Sequence, residues 1–148
     1  NRFLAFYLYK DKYYGYLDEF MGETLGEINK MSQLEIEDLL NVFDQSMKVC
    51  YQLLGNTAFK RPDPKKNGGF LKINKAIFEV LSVSIAKLSI SEQQSLTIKK
   101  ELFRNSIHAL FTQEDFIKSI TSGTAKVPQV DYRHSHVQQL IKDIISHD

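Results

Sequence analysis

Hydrophobic residues recur with helical spacing along most of the chain, and the clearest case runs from Ser32 to Leu54. Apolar side chains there follow one another at steps of three and four residues, the spacing of one face of an amphipathic helix. Ser32 and Glu35 form a capping-box pattern at its start, and Gly55 is a natural stop at its end. The apolar stripe comprises Ile36, Leu39, Leu40, Phe43, Met47, Cys50, Tyr51 and Leu54.

A second segment is apolar around most of its circumference. It opens with Asn74, a good N-cap because its side-chain oxygen can accept a hydrogen bond from a free backbone N–H. A helix with apolar residues on most sides is normally surrounded by other helices. We therefore predict a central helix near residues 74–88, in which Phe78, Leu81 and Ile85 are buried.

The remaining pattern is also helical. One helix is predicted over 91–111, with Ser91 and Gln94 as its capping box, and a short helix follows behind Thr112 and Asp115. These segments show the same apolar steps of three and four residues.

Three further helices complete the prediction. Asp131 is a candidate cap for the last one, and residues 2–9 and 17–29 form the first two, the opening one buried because it is apolar nearly all round. No strand pattern extends beyond a few residues. The sequence thus predicts an all-α, multi-helix bundle without a sheet.

Composition sets further bounds. With 148 residues, 43% hydrophobic and 25% charged, the chain is typical of a single globular domain with a sizeable core. No apolar run reaches the roughly 18–20 residues that span a bilayer, so we expect no membrane partner. The lone Cys50 excludes an internal disulfide and suits a reducing cytoplasm. Because the chain begins without Met, we expect residues 1–148 to be one helical domain from a longer protein.

Residues with catalytic or metal-binding chemistry are few. His134 and His136 are two positions apart on a predicted helix and point to different faces, whereas helical metal pairs use i, i+4 spacing. Cys50 lies on an apolar stripe, which indicates core packing. The segment "SGTAK" at 122–126 lacks the spacing of a phosphate-binding loop and predicts a turn. We therefore predict no catalytic residue, metal or cofactor in this chain.

The segment "RPDPKKNGG" at 61–69 is the clearest loop, and it lies in a basic stretch. Only Asp63 opposes the positive charges of this stretch, on a chain whose net charge is +1. Basic loops can contact phosphates, although a solvated surface is the alternative interpretation. The candidate nucleic-acid-binding residues are Lys60, Arg61, Lys65, Lys66, Lys72 and Lys75.

Four blocks of sequence occur in an order that resembles a known family. The blocks are "RFLAF", "AFKRPDP", "INKAIFEVLSVSIAKL" and "SITSGTAKVPQVDYRHSHVQQLIKDII". Together they resemble the C-terminal half of bacterial GmrS-like proteins, a domain-of-unknown-function family with a ParB-like fold. The resemblance covers nearly the whole chain, and "INKAIFE" is its most distinctive block.

The resemblance implies a role in modification-dependent restriction and phage defence. Activity in that family is associated with an N-terminal domain that bears an Asp-Gly-Gln-Gln-Arg motif tied to nucleotide hydrolysis, and some members add a His-Asn-His nuclease domain. Neither motif is present in this chain. The matching residues are therefore expected to be structural: Arg2, Phe59, Asn74, Lys75, Phe78, Glu79, Ser122, Gly123, Thr124 and Arg133.

Three hypotheses follow. The first is a non-catalytic C-terminal module that supports the N-terminal domain of its parent protein by packing, by oligomerisation with a second copy, or by DNA contact. The alternative is a self-standing helical module that binds nucleic acid through the basic loop 60–75. The third is a small hydrolytic enzyme, for which the sequence offers no nucleophile–base or metal set.

Overall fold

The structure, a computed structural model, describes residues 1–147, and its regular elements are helices. No residue in that range belongs to a strand, and one isolated bridge joins Pro62 to Phe70. This confirms the predicted all-α bundle. The helices are α1 (Arg2–Tyr9), α2 (Leu17–Ile28), α3 (Gln33–Leu54), α4 (Lys75–Ala86), α5 (Ile90–Ile98), α6 (Lys100–Leu110), α7 (Glu114–Thr121) and α8 (Val127–Ser146), with short 3₁₀ turns at Lys10–Lys12 and Gly55–Thr57.

Helix α4 is the central element, as its apolar pattern predicts. Nine of its twelve residues are buried, because α1, α3, α7 and α8 all contact it. Leu81 and Ile85 are buried as predicted. The prediction for Phe78 is wrong, since its ring is only half-buried and packs edge-on against Phe59 at the margin of the core.

The buried side chains form two clusters that meet at α4. The larger cluster draws on α3 to α8, and the smaller one joins α1 and α2 to Val83 of α4 and Val130 of α8. Since α4 contributes to both, its position fixes how the opening helices sit against the rest of the bundle. No helix within residues 1–147 combines the length and apolar character that crossing a bilayer requires.

The single helix predicted over 91–111 is two helices, α5 and α6, which separate at Lys99. The backbone of Lys99 leaves the helical region. The ammonium group of Lys99 donates to carbonyl groups at the C-terminal end of α8, including that of Ile144 at 3.2 Å. The predicted capping box is also wrong. The capping box of α5 is formed by Ser89 and Glu92 instead, since each side chain accepts a hydrogen bond from the other residue's backbone N–H.

Two other predicted caps are displaced. Helix α8 begins at Val127 with Pro128 in its first turn, a position proline suits because the N–H is unpaired there anyway, so Asp131 is not its cap. Helix α7 begins after Gln113, and the Thr112 hydroxyl instead donates to the carbonyl of Ala109.

Helix α3 has the predicted bounds and the predicted capping box. Its apolar stripe is only partly covered, because burial is confined to its C-terminal half. Cys50 is buried there, whereas Leu40 and Tyr51 of the same stripe are exposed.

Candidate functional site

Residues 60–75 form a folded hairpin, called the basic hairpin from this point on. The backbone N–H of Asp63 donates to the carbonyl of Gly69 at 2.9 Å, and that of Leu71 donates to Arg61 at 3.0 Å. At the base, the N–H of Asn74 donates to the carbonyl of Phe59 at 2.8 Å. These bonds hold both arms of the hairpin together ahead of α4.

The single acidic residue of the hairpin is directed to its own backbone. One carboxylate oxygen of Asp63 accepts from the N–H of Lys65 at 2.9 Å, and its carbonyl accepts from the N–H of Lys66 at 3.3 Å. Gly68 closes the tip with a φ of +72°, a left-handed conformation that glycine adopts without a side-chain clash. Asp63 therefore shapes the tip and forms no ion pair with the hairpin's cations within the described residues.

The six predicted cations all lie on this hairpin, and among residues 1–147 none of them has an ion-pair partner. Lys60 and Arg61 at its base are half-buried, and the other four are exposed. Of the chain's 19 basic and 18 acidic residues the hairpin holds six and one, so the remainder carries 13 positive and 17 negative charges. A nearly neutral protein thus concentrates its positive charge in one element.

A cleft of about 510 Å³ lies between the hairpin tip and His108 of α6. Lys65, Lys66 and Phe70 are among the residues that line it. The rings of Phe70 and His108 have centroids 6.4 Å apart, with an angle of 43° between their planes. The hairpin therefore combines cations, an aromatic ring and a concave surface.

A second group of polar residues lies inside the bundle around Glu79 of α4, and of its members Arg2 alone is partly exposed. The Nε and Nη2 atoms of Arg133 donate to Oε1 of this carboxylate at 3.1 and 2.7 Å. The Nε of Arg2 donates to Oε2 at 2.8 Å, and Nε2 of His134 lies 2.9 Å from Oε1. We call these four residues the Glu79 cluster; it joins α1, α4 and α8.

The cluster also holds the turn between α7 and α8, where "SGTAK" lies as predicted. The Nη1 of Arg133 donates to the carbonyls of Ser119 and Thr124 at 3.0 and 2.7 Å. The Tyr13 hydroxyl donates to the carbonyl of Ala125 in the same turn. Both carboxylate oxygens of Glu79 accept hydrogen bonds from other helices of the bundle, which suits a role in joining helices.

Ionisation in the cluster follows from burial and charge. Burial would raise the pKa of Glu79, but the hydrogen bond from His134 and the charges of Arg133 and Arg2 outweigh it and hold the pKa below its usual value. Burial lowers the pKa of His134, and the hydrogen bond and charge of Glu79, which act in the opposite direction, offset only part of this effect. The cluster thus contains two cations, one carboxylate and a neutral imidazole.

We expect the stability of the protein to fall as the pH drops below about 6.5, the ordinary pKa of histidine. His134 in the unfolded chain then binds a proton that the folded state resists, so the loss amounts to at most about 1.4 kcal/mol per pH unit. In addition, Nδ1 of His134 has no hydrogen-bond partner in the described residues, so a proton there would be unpaired. Urea unfolding at pH 7.5 and 5.5 measures the loss.

The matched variants are His134→Gln and His136→Gln. His134→Gln should flatten the pH dependence, whereas His136→Gln should retain it because that side chain is only partly buried and does not contact Glu79. Equal pH dependence in all three proteins would show that His134 is not the titrating group.

The other residues singled out in the sequence lie apart from both sites. Burial raises the pKa of the Cys50 thiol to about 12, which confirms its role in core packing and makes it a poor nucleophile. His134 is buried and His136 is not, as their spacing predicts. Within residues 1–147 no three histidine, cysteine or acidic side chains are grouped so that they could hold a metal ion.

Sequence reasoning did not identify the Glu79 cluster as a site, although one signal for it exists. Glu79 is the one charged residue between Ala76 and Ala86 in a mostly apolar helix, and a buried charge requires partners. Arg133 and His134 supply them from a helix 54 and 55 residues away, a pairing that no local pattern specifies.

No protein-family model, curated protein or solved structure matches the chain.

Proposed function

We propose that this chain is a non-catalytic helical module of a GmrS-like restriction or phage-defence protein, and that it contacts DNA through the basic hairpin. The observation that carries the DNA contact is the set of six cations on one ordered hairpin, none of them neutralised by an ion pair in the described residues. The four-block resemblance supports the assignment to a larger, cytoplasmic parent protein.

The hairpin suits non-specific phosphate contact. Its backbone hydrogen bonds fix the turn before binding, so only the lysine and arginine side chains need to be ordered. Each phosphate contact releases counterions from the DNA, which gives affinity that depends on salt and not on base sequence. Binding of duplex DNA is therefore expected to be weak, with a Kd of about 10⁻⁴–10⁻⁶ M.

The Glu79 cluster supports the module role. Its hydrogen bonds join α1, α4, α8 and the α7–α8 turn. A bundle held in this way offers the parent's N-terminal domain a rigid surface to pack on. A second copy of the chain is a further candidate partner. The self-standing nucleic-acid-binding module uses the same hairpin, and an Asp-Gly-Gln-Gln-Arg motif in an adjoining part of the parent would distinguish the two.

Replacing Lys65 and Lys66 with alanine is expected to weaken duplex binding and to make its salt dependence shallower. Two lost phosphate contacts should reduce the slope of log K against log salt by about 1.8. The melting temperature should stay nearly unchanged, because both side chains are exposed and unpaired. Fluorescence anisotropy with a labelled duplex measures the affinity and its salt dependence. The titrations are made at about 50 and about 200 mM salt, a range over which phosphate contacts weaken strongly.

The matched control is Lys87→Ala with Lys142→Ala. It removes the same charge from exposed sites outside the hairpin, and neither lysine has an ion pair in the described residues. If both double variants weaken binding equally, net charge and not the hairpin determines affinity. If neither changes it, the hairpin is ordinary solvated surface and the DNA contact is wrong.

A further inference from the structure

Phe70 differs from the other phenylalanines of the protein in its exposure to solvent. All ten phenylalanines lie within the described residues, and Phe70, at 37% exposure, is the most exposed of them. The others are buried or half-buried, as in the pairs Phe3–Phe43 and Phe59–Phe78. Core packing does not explain why the ring of Phe70 is partly exposed on the basic hairpin.

The surroundings of Phe70 form a small binding cleft. His108 lies across from it, with ring centroids 6.4 Å apart, and the cleft between α6 and the hairpin tip has a volume of about 510 Å³, within the range of ligand pockets. Lys65 and Lys66 stand on its rim, and the backbone N–H groups of Asn67 and Gly68 have no acceptor in the described residues. Aromatic surface, cations and free donors therefore converge at one place.

These groups match the parts of a nucleotide. A base presents a flat π-face that stacks on an aromatic ring, and the flanking phosphates accept hydrogen bonds from lysines and backbone N–H groups. In a duplex both faces of every base are covered by its neighbours, so the ring can reach only a base that is unpaired.

We propose that this cleft binds an unpaired base of single-stranded DNA, stacked on Phe70, with the adjoining phosphates on Lys65 and Lys66. The inference rests on the proposed DNA contact and narrows it, because it assigns the hairpin a preference for single strands over duplex. The preference is independent of base sequence, since every base has a π-face.

The test compares Phe70→Leu and Phe70→Trp with the wild type. Leucine keeps an apolar side chain but has no π-face. Binding of a single-stranded thymidine oligonucleotide of about 20 nucleotides, which exceeds the site size of one binding module, should therefore weaken about 5- to 150-fold. This range corresponds to the roughly 1–3 kcal/mol that stacking one base contributes. Duplex affinity should change less than about twofold, and Phe70→Trp should retain single-strand binding.

The tryptophan variant gives a direct signal as well. The natural chain contains no tryptophan, so Trp at position 70 would be the sole indole reporter. Stacking with a base should quench its emission when the single strand is added, and the duplex should quench it less. An unchanged emission at saturating single strand would contradict stacking.

The outcomes separate this inference from the DNA contact itself. If Lys65→Ala with Lys66→Ala weakens binding but Phe70→Leu does not, stacking is wrong and the phosphate contact stands. If neither variant weakens binding, both are wrong. If Phe70→Leu weakens single-strand and duplex binding equally, the preference for an unpaired base is wrong.

A lipid surface is the competing partner, because Ile73 of the same hairpin is 61% exposed and could insert with Phe70. Vesicles of phosphatidylcholine with about a third phosphatidylserine supply the comparison, since basic segments bind anionic leaflets. Vesicle binding that depends on Phe70, together with single-strand binding that does not, would overturn the inference in favour of a membrane surface.

Discussion

Replacing Glu79 with glutamine is expected to lower the free energy of unfolding by about 3–5 kcal/mol, the cost of removing one partner from a buried ion pair. The neutral amide would leave Arg133, which is fully buried, and Arg2 without the charge that compensates them. It would also present an N–H group to donors that now face an acceptor. Urea denaturation monitored by circular dichroism at pH 7 measures the loss.

Glu101→Gln is the matched control for this prediction. Glu101 also pairs with an arginine, Arg104, at 2.9 Å, but its side chain is 72% exposed. Exposed pairs of this kind contribute little, so this variant should unfold close to the wild-type midpoint. Equal, small losses in both variants would mean that water reaches Glu79 and that the cluster does not hold the helices.

Helical segments were predictable because their signals are local. Apolar steps of three and four residues located α3 and α4, and the side-chain caps at Ser32 and Asn74 depend on residues no more than three positions away. The break at Lys99 was not predictable in this way, since the groups that engage its ammonium lie 45 or more residues later in α8.

The basic hairpin was predictable in composition but not in geometry. Its proline and glycine residues mark a loop, and its charges are visible in the sequence. The sequence does not reveal that Asp63 turns to the backbone instead of pairing with a lysine, or that Phe70 meets His108 of α6 across a cleft. The approach of Phe70 to His108 depends on how the chain between α3 and α4 packs on α6, a helix that follows later.

Three of the four sequence blocks quoted above meet at the Glu79 cluster. Asn74 and Glu79 belong to "INKAIFE"; the side-chain amide of Asn74 donates to the carbonyl of Ile120 at 2.8 Å, and Glu79 pairs with Arg133. Ile120 and Arg133 belong to the last block, and Arg2 belongs to the first. Buried ionic groups tolerate few alternative arrangements, so these residues specify how the helices fit together.

The apolar part of the same helix carries the other large expected effect. Leu81→Ala should lower the free energy of unfolding by about 2–5 kcal/mol, the range for truncating a buried leucine where the surroundings cannot collapse. Leu81 is 2% exposed and lies in the larger buried cluster, to which five other helices contribute. Since α4 is held on several sides, its neighbours have little freedom to move into the space.

Leu34→Ala is the matched control, because Leu34 is 68% exposed in the first turn of α3. It loses the same atoms without leaving a cavity, so its effect should stay within about 0.5 kcal/mol, as for other surface substitutions. Urea denaturation of both variants at pH 7 gives the comparison. A loss below about 0.5 kcal/mol for Leu81→Ala as well would place α4 at the periphery of the bundle and contradict its central position.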